Sequence, residues 1–305
     1  MSIVFKRLAF VLLCACLLSG CDPTPSHPLG SKENPIQFLF TPSIDSTQLS
    51  HNSSQFIQFL HAQTGYHFKP SVPTNYISIV ESFGTNRADM AILNAFGYLL
   101  AHSKYEAIAK AIVIRDDQAF YYGQIITHVD SGINTLSDIS GKMFAFSDPS
   151  SLSGYLFPKK LLEVKGVIPG QIVFGMKHDI VVTMVYQRQV DAGATYHSPM
   201  KNGHVKDARA RVKTQFPDIS EKVKIINLTE KIPNDPIVFK KTFPEEMMSQ
   251  ILAAIQAYSN LPSGKKVLQA MYNIDGIIPA SDDNFENLRQ TIRDSEFEVG
   301  DVVRK

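Results

Sequence analysis

Residues 146–158 read FSDPSSLSGYLFP, an apolar run that passes through four serines and a glycine into an apolar helical pattern. Hydroxyls at this density, where a strand turns into a helix, suit the binding of an anion. A helix N-terminus leaves about four backbone N–H groups unpaired and carries about half a positive charge. A negative group is therefore stabilised there without lysine or arginine. Ser151 and Ser153 add hydroxyl donors, and Gly154 lets a ligand approach the backbone closely. The tetrahedral oxygens of a phosphate or phosphonate head match such a set, each hydrogen bond to a charged acceptor contributing roughly 1.5–3 kcal/mol. A single helix cap, worth about 1 kcal/mol, would account for Ser150 or Ser151 alone. It leaves the rest of the cluster unexplained.

His178 and Asp179 open a second helical pattern, so the same donor argument applies there. A protonated His178 would add charge, and a nearby oxyanion would raise its pKa. Pro158 lies beyond the first turn of its helix, which must kink or restart near it. Enzyme chemistry lacks support. Pro149 stands where the first glycine of a Gly-x-Ser-x-Gly elbow around Ser151 would be, and HExxH, paired CxxC and GxxxxGK[ST] do not occur. The nine histidines are scattered without ligand spacing, so neither a metal nor a cofactor is expected.

The elements that must carry these residues alternate along the chain. IQFLF (36–40) reads as a strand, and SSQFIQFLHAQTG (53–65) has Phe56, Phe59, Leu60 and Gln63 at helical spacing, with Gly65 where a C-cap falls. Strand patterns follow at 66–72, 88–93, 109–115, 121–129, 142–147, 171–175 and 192–196. Helical patterns at 76–83, 95–103, about 152–164 and 179–187 lie between them, and the chain from about Pro244 is mostly helical. This rhythm predicts an α/β architecture of largely parallel sheets covered on both faces.

The chain opens MSIVFKRLAFVLLCACLLSGCDP. Lys6 and Arg7 precede an apolar run, Leu8 to Leu18, of signal-peptide length. Leu18-Ser19-Gly20-Cys21 resembles a bacterial lipobox, with residues 1–20 removed and Cys21 lipidated. Cys14 and Cys16 leave with the leader, so no internal disulfide is possible and the core alone must hold the fold. Residues 21–34 are rich in Pro, Ser and Gly and read as a flexible tether. The whole chain holds 30 Lys and Arg against 29 Asp and Glu, with no basic stripe, which argues against nucleic acid as a partner.

Several stretches, taken together, resemble one family over nearly all of the chain past the leader. They are Y-ISIVESF-x4-ADMAIL, YYGQIITHVDSGINTLSDISGK, FSDPSSLSGYLFP, KHDIVVTMVYQRQVDAGA and IPNDPIVF. They look like the phosphate/phosphite/phosphonate solute-binding proteins of ABC importers. The resemblance implies a two-lobed periplasmic-binding-protein fold with two hinge crossings. Lobe one would be 35–123 plus 229–305, and lobe two 124–228. It implies capture of a phosphorus oxyanion by lobe closure, an ABC permease as partner, a monomer, and no enzymatic activity. A ligand-sensing subunit of the same fold, presenting its closed state to a signalling receptor, is the alternative.

The resemblance also assigns residues. Tyr76 matches the family's tyrosine at the start of the second helix, and Ser151, Ser153 and His178 match its phosphorus-binding elements. Leu152 replaces the threonine of the usual Ser-Thr-Ser, which removes one hydroxyl but keeps its backbone N–H. Asn94-Ala95 replaces a Gly-Pro, so Asn94 either meets the ligand or caps the next helix. Tyr121 and Tyr122 begin the first hinge strand; alternation sends one of them toward the ligand, and Tyr122 is the choice. Asp235, and with lower rank Asp191, could meet an amino group on the ligand's organic end, although Asp235 beside Pro236 also suits a turn.

Overall fold

The computed structural model describes residues 27–41, 46–201 and 203–294. The leader, Cys21 and the tether up to residue 26 lie outside the described residues. Residues 27–34, expected to be flexible tether, instead pack on the domain, Leu29 against its apolar core and Gly30 O accepting from His67 N at 2.8 Å. Numbered in chain order, β11 (Gly276–Pro279), β4 (Ile108–Ile114), β10 (Pro236–Phe239), β3 (Met90–Ile92), β1 (Ile36–Phe40) and β2 (Phe68–Ser71) form one sheet, neighbours in that order. A second sheet has the order β7 (Gln171–Phe174), β6 (Met143–Phe146), β8 (Ala192–His197), β5 (Phe120–His128) and β9 (Val223–Pro233). In the first sheet β1 to β4 point one way and β10 and β11 the other; in the second, β5 alone opposes its neighbours. The parallel pattern therefore holds where helices connect strands and breaks at the strands that follow a crossing between sheets.

Alternation along each strand feeds two cores per sheet. Phe38 and Phe40 enter one apolar cluster with Phe56, Leu60 and Tyr258, while Leu39 between them enters another with Ile79, Val80 and Phe96. Phe144 and Phe146 pack with Ile125 and Leu162, whereas Ala145 joins Val181, Val182 and Val185 on the other face. Both sheets are thus covered on both sides, as near-continuous apolar strands require.

The chain passes between the sheets at residues 115–119 and again at Asn234–Asp235. Both β5 and β9 belong to the second sheet along their whole length, so these crossings lie a few residues outside positions 123 and 229. Asn234, almost fully buried, ties the two crossings together: its Nδ2 donates to the carbonyls of Gln118 at 2.8 Å and Val113 at 3.2 Å. Leu152, Leu156 and Phe157 of the second half pack into the cluster of Ile79, Val80 and Phe96, and Lys160 pairs with Asp294 at 3.0 Å. Among the described residues, no helix is long and apolar enough to cross a membrane.

Four helices begin just past the carboxyl ends of strands. These are α2 (Tyr76–Gly84) after β2, α3 (Ala95–Tyr105) after β3, α4 (Phe157–Val164) after β6 and α5 (His178–Tyr186) after β7; α1 (Ser46–Thr64) precedes them. In open α/β sheets, ligands bind outside those carboxyl ends. Tyr76, Asn94, Ser151 and His178 all stand there.

Candidate functional site

The serine turn is built from its own backbone. After β6, Ser147 N donates to Gly154 O at 3.0 Å and Ser151 N to Asp148 O at 2.9 Å. Asp148 Oδ1 accepts from Ser150 N at 2.7 Å and from the Ser150 hydroxyl. Ser151 caps the following turn, its Oγ accepting from Gly154 N at 3.0 Å. That turn, Leu152–Leu156, is π-helical, and α4 starts only at Phe157. Pro158 supplies the reason: it lacks an N–H, and its ring excludes the carbonyl four residues back. That carbonyl is Gly154's, which faces Ser147 instead, so the expected restart is a π turn placed ahead of α4.

Two glycines allow the turn to sit where it does. A Cβ on Gly154 would lie 1.7 Å from Ser147 Oγ and 3.0 Å from His178 Cε1, so those two side chains converge on this backbone. A Cβ on Gly123 of β5 would lie 2.7 Å from Ser153 O, which seats the turn directly against the crossing strand.

Around this turn stand three buried side-chain atoms with no hydrogen-bond partner among the described residues: Tyr76 Oη, Ser147 Oγ and His178 Nδ1. Buried polar groups are nearly always paired, and each exception calls for a cause. Tyr76 comes from the first half and approaches Ser150 without completing a hydrogen bond; burial first, then the charge of Asp148, raises its pKa and keeps its proton in place. His178 packs edge-to-face on Tyr196, ring centres 5.0 Å apart. Burial above all, with the charge of Arg211, pushes the His178 pKa down to about 4 against the opposing pull of Asp179 and Asp148. With no bound anion beside it, His178 is therefore neutral at pH 7. Desolvation outweighs the acids beside it.

The remaining expected residues divide. Ser153 is buried, beside the hydroxyl of Tyr121. Alternation sends Tyr121, not Tyr122, toward the turn; Tyr122 lies on the other face, its ring 6.1 Å from that of His197. Asn94 caps α3, its Oδ1 accepting from Gly97 N at 2.6 Å. Leu152 is only 6 % exposed and packs into the apolar cluster between the two halves, so its side chain covers the site from behind. Asp235 is held by Arg115 at 2.6 Å, and Arg115 Nε also donates to Tyr272 O. Asp191 accepts from Met143 N at 2.8 Å at the root of β6. The Asp235 carboxylate is thus paired with a protein cation, and Asp191 is tied to the backbone through one oxygen. The residues that sequence reasoning passed over are Ser147, Asp148 and Tyr121. Ser147 was legible as a lone hydroxyl ending an apolar strand.

Elsewhere, a concavity of about 750 Å³ is lined by Gln37, Lys69, Ser71, Arg87, Asp89 and Lys240 among others, and holds none of the candidate residues. Among the described residues, no group of three His, Cys, Asp or Glu is placed to hold a metal ion.

Two sheets joined by two crossings, with helix-opening side chains converging between them, define a two-lobed solute-binding protein. A family model, "ABC transporter, phosphonate, periplasmic substrate-binding protein", matches residues 38–285, and the chain belongs to that family, whose members bind solutes and are not enzymes. The "Phosphonates-binding periplasmic protein" of Escherichia coli K12 is 24% identical over 262 residues, covering 81% of this chain and 73% of that protein. The "Phosphate-import protein PhnD" of Mycolicibacterium smegmatis is 26% identical over 202 residues, 62% of this chain and 63% of that one. In fold, the chain is similar to PhnD1 from Prochlorococcus marinus, solved in complex with methylphosphonate, with a TM-score of 0.66 and 19% identity over 86% of this chain and 98% of that one.

Proposed function

We propose that this chain is the lipid-anchored substrate-binding protein of an ABC importer, and that it captures a phosphorus oxyanion between its lobes. The ligand class is phosphonate, phosphite or phosphate. The observation that carries the reading is the trio of buried, unpartnered groups on Tyr76, Ser147 and His178, contributed by both halves of the chain and gathered at one serine turn. An unpaired buried polar group costs roughly 1–3 kcal/mol. A ligand that supplies the missing acceptors relieves that cost as it binds, and a head group without them does not. Family membership and the ligands named for two curated relatives point the same way.

Capture proceeds by hinge closure about residues 115–119 and 234–235, with Tyr76 on one lobe and Ser147, Ser151, Ser153 and His178 on the other. The closed form is what the permease recognises, and lipid on Cys21 keeps the protein at the membrane. Titration calorimetry with methylphosphonate, phosphite and phosphate tests the reading, since the chain has no tryptophan to report binding. At least one should bind with micromolar or tighter affinity; a folded protein that binds none of them contradicts it. Cys21→Ala should move the protein from the membrane fraction to the soluble one.

A further inference from the structure

β7 (Gln171–Phe174) ends the second sheet, pairing with β6 alone among the described residues, and most of it is exposed. Gln171 N and Gly175 N donate to Lys142 O and Phe146 O, so alternation along the ladder turns the N–H and C=O of Ile172 and Phe174 outward. An unpaired edge is a template for another strand, and proteins blunt it with charge or proline. The other three sheet edges are blunted: β2 carries Lys69 and Pro70, β9 carries Lys224, Glu230 and Lys231, and β11 ends in Pro279. β7 carries neither, and residues 166–176, GVIPGQIVFGM, hold no charged side chain. Ile172 and Phe174 share one face of the strand and are 50 % and 43 % exposed. Val164 and Ile168, in the segment that leads from α4 into β7, are 72 % and 76 % exposed. Apolar side chains gathered along one uncharged edge mark an interaction surface.

We propose that this edge is covered by β7 of a second copy of the chain, paired antiparallel about a twofold axis through Val173. A twofold contact sets a surface against itself. Charges on the strand would meet their own kind there, and QIVF has none to oppose. The register follows from the backbone. With the axis at Val173, Ile172 lies opposite the partner's Phe174 and Phe174 opposite the partner's Ile172. The two outward-facing residues of each copy then exchange N–H···O bonds in both directions. Only this axis pairs both of them within the strand. Residues directly opposite share a face, so each isoleucine meets a phenylalanine ring, a favourable cross-strand pair. Val173, whose own backbone groups turn toward β6, faces its counterpart in the pair that makes no hydrogen bond. Pairing joins two five-stranded sheets into one. It also covers the four exposed side chains of each copy, which with the strand edge approach the roughly 800 Å² per partner of a stable interface. The candidate ligand site lies at the carboxyl ends of the strands, clear of this lateral edge. A dimer takes the place of the monomer that the family resemblance implies.

Cysteine cross-linking of the full chain in membranes reads this register. The chain's three cysteines, at 14, 16 and 21, all precede the domain, so a cysteine placed in β7 is the domain's one thiol. Opposed residues of a pair without hydrogen bonds have Cα atoms about 4.5 Å apart, within reach of a disulfide. Under copper–phenanthroline and oxygen, Val173→Cys should therefore form a covalent dimer. Gln171→Cys, whose counterpart lies four residues further along the strand and about 13 Å away, should cross-link about tenfold less or not at all. Sedimentation of the wild-type chain in detergent should give two copies per particle at micromolar concentration. Ile172→Lys, a charge at an exposed position, should give one copy with an unchanged circular dichroism spectrum. Equal cross-linking at positions 171 and 173 means chance collision and overturns the pairing. A wild-type chain that sediments as one copy, with Val173→Cys left uncross-linked, overturns it too. The edge then falls to another occupant, such as the permease or residues 295–305, which follow Asp294 where it pairs with Lys160 of α4.

Discussion

At the scale of single residues, the site is defined by what its side chains lack. Ser147 and Tyr76 hold buried hydroxyls with no hydrogen-bond partner among the described residues. Removing them should act in opposite directions on stability and binding. Ser147→Ala and Tyr76→Phe are each expected to raise ligand-free stability by about 1 kcal/mol in urea unfolding, because an unpaired desolvated group is lost. Each should also weaken phosphorus-oxyanion binding about tenfold or more. A variant that loses stability and binding together would mean that its hydroxyl is structural. His178 makes a separate prediction. Its folded pKa of about 4 lies below its ordinary 6.5, so the unfolded chain binds the extra proton between those values. The stability contribution is complete above pH 6.5 and is lost as pH falls toward 4, a difference of about 3 kcal/mol. In His178→Gln, unfolding free energies measured from pH 7.5 to 4.5 should show a shallower decline than in wild type; superimposable curves would refute the neutral, buried imidazole.

At the scale of elements, the serine turn is a compromise between a strand, a proline and two glycines. Pro158 displaces the Gly154 carbonyl, Ser147 N takes it up, and the first turn widens to a π turn that brings Ser151, Ser153 and Gly154 together. Gly123 lets this assembly lie against β5. Gly123→Ala would push a methyl against a backbone carbonyl that has no rotamer to retreat into, and is expected to destabilise by roughly 1–3 kcal/mol and to weaken ligand binding with it. Unchanged thermal unfolding in that variant would show that the turn is not seated there. Much of this level was legible beforehand. The alternation of strand and helix, the Gly65 cap, the helix starts at Tyr76 and His178 and the disturbance at Pro158 all follow from local pattern. β9, β10 and β11 were not. VKIINLTEKIP lies at an edge with much of its surface exposed, so its hydrophobic alternation is weak, and GIIP is short and sits between helices. The π turn was hidden as well, because it depends on where a displaced carbonyl finds a donor.

At the scale of the whole molecule, two non-contiguous segments build one sheet, and sequence pattern alone does not reveal that arrangement. It arises because β10 returns from the second half and inserts between β3 and β4, with Asn234 fastening the outward and return crossings. The same tertiary placement explains the site residues that pattern reasoning misjudged. Tyr121 and Tyr122 are neighbours in sequence, and only the register of β5 against β9 and the turn decides which one faces Ser153. Asp235 looks available in PNDP until Arg115, distant in sequence, is folded against it. Leu152 interrupts the serine run, and its side chain serves the apolar contact between the halves.

These levels meet in one proposal: groups from two lobes, unpaired among the described residues, take a phosphorus oxyanion as their partner. A crystal structure of the protein grown with methylphosphonate tests it most directly. The account predicts phosphonate oxygens within hydrogen-bond distance of Tyr76 Oη, Ser147 Oγ and His178 Nδ1 together. A phosphonate bound elsewhere, with those three atoms still unpartnered, would contradict it.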